Sequence, residues 1–200
     1  MTDITAALLD GLQALSAWEG AAVALAVIYL VLAIRQNPWC WAAAIASASI
    51  YLFLMFGARL YTQSVLQLFY VAMAVYGWLC WRRGGTDEGL PVTSWAARDH
   101  LVPLLIIALS GLALGLLMDR FTDAAAPWLD AMAASGAVVT TWMVARKVLQ
   151  NWIYWFVIDL GSAWLYASQG LALTALLFVV YTLLTVVGYR SWRASMNGHV

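Results

Sequence analysis

Apolar residues run through this chain in blocks of roughly twenty, interrupted by short clusters of charged, amide and glycine residues. A helix needs roughly 17–25 mostly apolar residues to cross a hydrocarbon core about 30 Å thick, since each residue rises about 1.5 Å. Seven stretches meet that requirement, at 17–34, 39–57, 63–81, 101–118, 124–145, 150–168 and 171–189. Only GARLYTQS separates the second from the third, with Arg59, Tyr61 and Gln63 making an interfacial break. The longest interruption, RRGGTDEGLPVTSWAARDH at 82–100, holds Gly and Pro residues that stop both neighbouring helices. The pattern predicts an all-α integral membrane protein with seven transmembrane helices.

Ahead of the first span, Ile4, Leu8, Leu12 and Leu15 recur at helical spacing, so residues 1–16 read either as an amphipathic lead-in on the membrane surface or as a polar approach. The segment carries Asp3 and Asp10, has no positive n-region, and is not expected to be a signal peptide. Lys and Arg collect on the cytoplasmic side of membrane proteins. With the N-terminus outside, that side receives Arg35, Arg82, Arg83, Arg98, Arg146, Lys147, Arg190 and Arg193, against Arg59 and Arg120 outside. The expected orientation is therefore N-terminus out, C-terminus in.

Composition narrows the function. Hydrophobic residues make up 64% and charged residues 10%, against about 45–50% and 25% in soluble domains. Ten basic residues balance ten acidic ones, which leaves no excess to neutralise nucleic-acid phosphates. Cys40 and Cys80 allow at most one bridge, so a disulfide scaffold is excluded. His100 and His199 lack acidic or thiol neighbours at ligand spacing, no catalytic set is evident, and neither an enzyme nor a cofactor or metal is expected. An ion channel would need a ring of like charge or a filter loop, and none is visible.

Transporter folds are often internally duplicated. Here Gln36, Asn37 and Trp41 match Gln150, Asn151 and Trp155 at an offset of 114, while Tyr70, Gly77, Trp81 and Arg82 match Tyr181, Gly188, Trp192 and Arg193 at 111. A three-residue gap reconciles the two offsets. The implied organisation is a first three-helix unit at 17–81, a cytoplasmic loop at 82–100, a linker helix at 101–118, a second unit at 119–192 and a tail at 193–200. One extra crossing gives both units the same direction, and sites in parallel repeats lie near the midplane between the copies.

Polar groups inside spans then become the candidates. Asn151, Trp155, Asp159 and Ser162 share one helix face. An ionised carboxylate at mid-span costs at least ~2.5 kcal/mol, so Asp159 must be protonated, hydrogen-bonded to a neighbouring helix, or facing water or a cationic ligand. Gln63, Gln67, Tyr70, Ala74 and Gly77 share a face of the third span, as Phe178, Tyr181, Thr185 and Gly188 do in the last. Gln67 and Tyr70 are the ligand candidates there; Gly77 and Gly188 read as packing positions. Ser47, Ser49, Ser135, Thr140 and Thr141 are weaker, because such hydroxyls often bond their own helix. Of the twelve Trp, Trp18, Trp39, Trp81, Trp95, Trp128 and Trp192 fall at expected interfaces, where rings anchor helices.

The runs RQNPWCW, LQLFYVAMAVYGWLCW, LDAMAASGAVVTTWMVARKVLQNWIYWFVIDL and GYRSW resemble the PnuC-type vitamin transporters over about residues 18–192, most specifically in QNWIYW followed by Asp159. The resemblance implies a 3+1+3 parallel-repeat architecture similar to SWEET sugar transporters, assembled as a homotrimer. It also implies uptake of nicotinamide riboside by facilitated diffusion, made net inward by a cytoplasmic vitamin kinase; relatives carry thiamine or riboflavin. The family's Asn-Trp stretch maps onto Asn151, Trp152 and Trp155, and its polar face onto Gln67 and Tyr70, with Tyr181 the counterpart of Tyr70 in the last span. Gln150 stands where many relatives have Glu. Nicotinamide riboside and thiamine are both cationic aromatics, and stacking on Trp155 would supply roughly 0.5–2 kcal/mol of cation–π attraction.

Overall fold

The computed structural model describes residues 16–57, 59, 61–83, 90–122 and 126–198. Apart from Ser16, the lead-in at 1–16 lies outside those residues, as do loop positions 84–89 and His199; the side chain of Gln63 does so too. The described residues form α1 (Ala17–Ile34), α2 (Cys40–Gly57), α3 (Tyr61–Arg83), α4 (Leu101–Phe121), α5 (Pro127–Ala145), α6 (Asn151–Ser168) and α7 (Ala172–Asn197), with a short 3-10 turn at Ala97–His100. Each expected span coincides with one helix. Helices α4 and α7 run past the expected ends at 118 and 189, because helical geometry continues beyond the apolar block.

Local chemistry explains the ends. Ser16 caps α1: its hydroxyl accepts from the Glu19 N–H at 3.2 Å, and the Glu19 carboxylate accepts from the Ser16 N–H at 2.8 Å. Pro127 opens α5, where its missing N–H has no partner to lose. The connections after α1 and α5 both turn through a non-glycine left-handed residue, Gln36 (φ 54°) and Lys147 (φ 50°). Their backbone bonds match: Gln36 N–H to Ala33 O and Asn37 N–H to Leu32 O, against Lys147 N–H to Val144 O and Val148 N–H to Met143 O. Arg59 (φ 62°) and Gly170 (φ 76°) likewise follow α2 and α6.

Helices α1, α2, α3, α4 and α7 are long and apolar enough to cross a membrane by themselves. Helices α5 and α6 are less apolar because they carry Ser135, Thr140, Thr141, Asn151, Asp159 and Ser162, and all six of these side chains are buried. These polar side chains face inward, as a lipid solvent demands. Helix α4 packs on α5 and buries only Pro103, Gly111 and Gly115, leaving most of its Leu and Ile side chains on the surface. Helices α1–α3 pack in sequence, α5–α7 likewise, and the α1–α7 and α3–α5 contacts join the two groups.

At that joint lies a cluster of indoles. Trp81 and Trp192, expected at the membrane interface, are instead 2% and 0% exposed in the core. The Trp81 indole N–H donates to the Val144 carbonyl at 3.2 Å, and the Trp192 N–H donates to the Ala33 carbonyl at 3.0 Å. Buried donors need partners, and the ends of α5 and α1 supply them. Trp18, Trp39 and Trp128 do lie exposed. The spacing of 111 residues that separates Gln36 from Lys147 also separates Trp81 from Trp192 and Ala33 from Val144. It holds too for Trp41 and Trp152, which meet Trp81 and Trp192 edge-on at 5.5 and 5.3 Å. The matching contacts thus set Trp41 against Trp152, 111 residues on, where the sequence match sets it against Trp155. The connections after α1 and α5 are equal in length.

Candidate functional site

A cavity of about 330 Å³ lies between the two groups of helices, near the low end of the roughly 300–1,000 Å³ range of small-molecule sites. Six helices line it and α4 does not. Helix α1 contributes Tyr29 and Leu30, α2 contributes Trp41, Ala44, Ser47, Ala48 and Tyr51, and α3 contributes Gln67, Tyr70 and Ala74. From the other side come Thr141 and Val144 of α5, Trp152, Trp155 and Asp159 of α6, and Phe178, Tyr181 and Thr185 of α7.

Six of the seven expected site residues therefore meet in one chamber: Gln67, Tyr70, Trp152, Trp155, Asp159 and Tyr181. Asn151 is not among its lining residues. It is fully buried at the start of α6, where its amide N–H donates to the Val148 carbonyl at 2.7 Å while its amide oxygen has no partner. That bond ties the amide nitrogen to the 146–150 connection.

Lining residues also pair at 111 positions. Leu30 faces the chamber with Thr141, Ala44 with Trp155, Ala48 with Asp159, Gln67 with Phe178, Tyr70 with Tyr181, and Ala74 with Thr185. Two glycines fix the Trp walls: a Cβ on Gly77 would strike the Trp41 ring and one on Gly188 the Trp152 ring, as their reading as packing positions requires. Tyr29, Tyr51 and Trp41 were not singled out from sequence as ligand candidates. Trp41 could have been found by applying the 111 spacing throughout; Tyr29 and Tyr51 sit in spans whose periodicity carries no such signal.

The Ser and Thr hydroxyls of the wall are committed. Ser47 donates to Ala22 O at 2.8 Å, Thr141 to Ala137 O at 2.7 Å and Thr185 to Thr182 O at 2.7 Å. Asp159, 5% exposed, is the one carboxylate on the wall and has no hydrogen bond or ion pair among the described residues. Eight aromatic side chains line the same chamber, and among the described residues no Lys or Arg does. Such a site favours a flat, cationic or hydroxyl-rich guest: the rings stack, the carboxylate attracts positive charge or accepts from hydroxyls, and Gln67 offers both donor and acceptor. A phosphate would meet no cation here.

A second cavity, about 560 Å³, lies among α4, α5 and α6. Its wall is apolar except at one end, where His100 Nδ1 and the Tyr154 hydroxyl are hydrogen-bonded at 2.9 Å. It is larger but presents no carboxylate and no stack of rings. Among the described residues no group of His, Cys, Asp and Glu could hold a metal ion.

Residues 16–194 match the family model described as nicotinamide mononucleotide transporter. The chain belongs to this family. It is a family of transporters rather than enzymes, and this member is a multi-pass membrane protein. The riboflavin/roseoflavin transporter RibM of Streptomyces davaonensis is 29% identical, over 84% of this chain and 80% of its own length. The nicotinamide riboside transporter PnuC of Escherichia coli is 24% identical, over 70% of this chain and 69% of its own. A crystal structure of the vitamin B3 transporter PnuC superposes with a TM-score of 0.74 at 17% identity, covering 100% of this chain and 90% of that one, so the two share a fold.

Proposed function

We propose that this member carries nicotinamide riboside across the bacterial inner membrane by facilitated diffusion, through the chamber between the two helix groups. The observation that carries the reading is the wall itself: stacked aromatics around a single unpaired carboxylate, with no cation to receive a phosphate. A pyridinium ring stacked on Trp155 sits one helical turn from Asp159, and Gln67, Tyr70 and Tyr181 are placed to bond the carboxamide and ribose. The same wall disfavours the phosphorylated nucleotide, which would bring two negative charges to Asp159.

The mechanism rests on two parallel copies, α1–α3 and α5–α7, with α4 as the linking crossing. The constant spacing of 111 residues through loops, indole bonds and cavity wall supports this 3+1+3 reading. Rocking of one copy against the other would open the chamber to each face in turn. The excess of basic residues beside the 35–39, 146–150 and C-terminal segments supports an N-terminus outside and a cytoplasmic C-terminus. Phosphorylation by a cytoplasmic kinase would trap the vitamin, and the protein would work as a homotrimer with one path per protomer.

A second reading, riboflavin as cargo, is favoured by the 29% identity to RibM. An isoalloxazine stacks on the same rings, and its ribityl hydroxyls can donate to Asp159. Proteoliposome uptake separates the readings. Saturable flux of labelled nicotinamide riboside without an ion gradient, exceeding that of riboflavin, is expected; preferential riboflavin flux selects the second reading, and ohmic current rejects both.

A further inference from the structure

One end of the chamber is closed in layers. Trp41 and Trp152 form the wall, and Trp81 and Trp192 stand behind them with ring centres 6.0 Å apart. Behind these lies Lys147, whose ammonium sits 4.7 Å from the centre of the Trp81 ring and donates to the Gln36 amide oxygen at 3.2 Å. The Gln36 amide N–H in turn donates to the Ser195 hydroxyl at 2.8 Å, which donates to the Trp192 carbonyl at 2.8 Å. Gln36 and Lys147 occupy corresponding left-handed positions after α1 and α5, so this one bond runs from one helix group to the other.

Lys147 is the only lysine in the chain and is 6% exposed. Among the described residues no carboxylate pairs with it. A buried ammonium held by an amide oxygen and a ring is compensated less than one held by a carboxylate, and its loss of contact strands no opposite charge. The contact can therefore part wherever water or another acceptor takes over the ammonium's protons, with no carboxylate left behind. The Lys147 backbone stays fixed while its side chain lets go, because the Thr93 N–H donates to the Lys147 carbonyl at 2.9 Å and the Thr93 carbonyl accepts from the Leu149 N–H at 2.8 Å.

We propose that Lys147 and Gln36 form the latch that keeps this end of the chamber shut, and that cargo passes this end only when their bond parts. The latch rests on the chamber being the transport path, yet its test needs no cargo. In a Cys40→Ala, Cys80→Ala background, Ala44→Cys places one thiol on the chamber wall. An impermeant maleimide is then applied to each side of sealed proteoliposomes in turn. With the latch intact, labelling from the side bearing the 35–39 connection is slow. Lys147→Met speeds it at least fivefold, Lys147→Arg restores the slow rate, and labelling from the opposite side does not rise. Gln36→Leu, of nearly equal volume, gives the same acceleration and serves if Lys147→Met does not assemble. Unchanged labelling in either variant overturns the latch. A chamber that proves to carry another solute alters the vitamin-binding result and leaves this readout intact.

Discussion

The two helix groups share a frame and divide the work. Both end their first helix in a left-handed residue, both set an indole against a glycine, and each sends an indole N–H into the other's carbonyl. Around the chamber they differ. Where the second group has Trp155 and Asp159, the first has Ala44 and Ala48; where the second has Phe178, the first has Gln67. The shared frame suits a motion that would treat both halves alike, and the unlike walls suit the proposed cargo, a vitamin with two unlike faces. The second group supplies charge and a stacking face; the first supplies amide, phenols and room.

Breaking the shared frame gives the largest effects. Gly77→Val and Gly188→Val each force an indole to move and should destabilise by about 1–3 kcal/mol, to a similar extent in both halves. Thermal unfolding in detergent measures this; loss in only one variant contradicts equivalence of the two positions. The next effect falls on one side only: Asp159→Asn should weaken nicotinamide riboside binding about tenfold, or ~1.4 kcal/mol, by removing the only charge on the wall. Riboflavin, being neutral, should change by less than about threefold. Equal losses for both vitamins would mean that Asp159 acts through hydroxyls. Asn151→Ala should reduce affinity by less than about threefold, since its amide is bonded to Val148 and not on the wall.

A pH-dependent effect belongs to the joint between the groups. Burial pushes the Lys147 ammonium down to about 8, with Cys40 opposing the shift. Between that value and the ordinary 10.5 the unfolded chain holds more protons, so apparent stability should rise as pH increases through this window. The rise should disappear in Lys147→Met; a melting curve with the same alkaline slope in both proteins would assign the slope elsewhere.

Helix count was legible because lipid imposes length and apolarity directly, and each of the seven expected stretches is a helix, whereas the ends of α4 and α7 lie beyond the apolar blocks. Six of seven expected site residues reached the chamber because polar side chains inside a span have few other places to go. Asn151 lies off the lining because it opens α6 and its amide N–H bonds the Val148 carbonyl, which its position at a helix start does not reveal in sequence. Trp81 and Trp192 misled because an indole beside an arginine reads as an interfacial anchor, and only the crossing of the two groups buries it. Tyr29 and Tyr51 were invisible, as a tyrosine among alanines and leucines carries no periodic signal of its own.

Calorimetric titration of the purified protein with nicotinamide riboside, repeated on Trp155→Ala, tests the central claim most directly. Stoichiometric binding that weakens at least tenfold on loss of the indole, about 1.4 kcal/mol, is the result expected of a chamber that stacks its cargo on the second group. Undiminished affinity in a folded Trp155→Ala protein would place the vitamin somewhere other than this chamber.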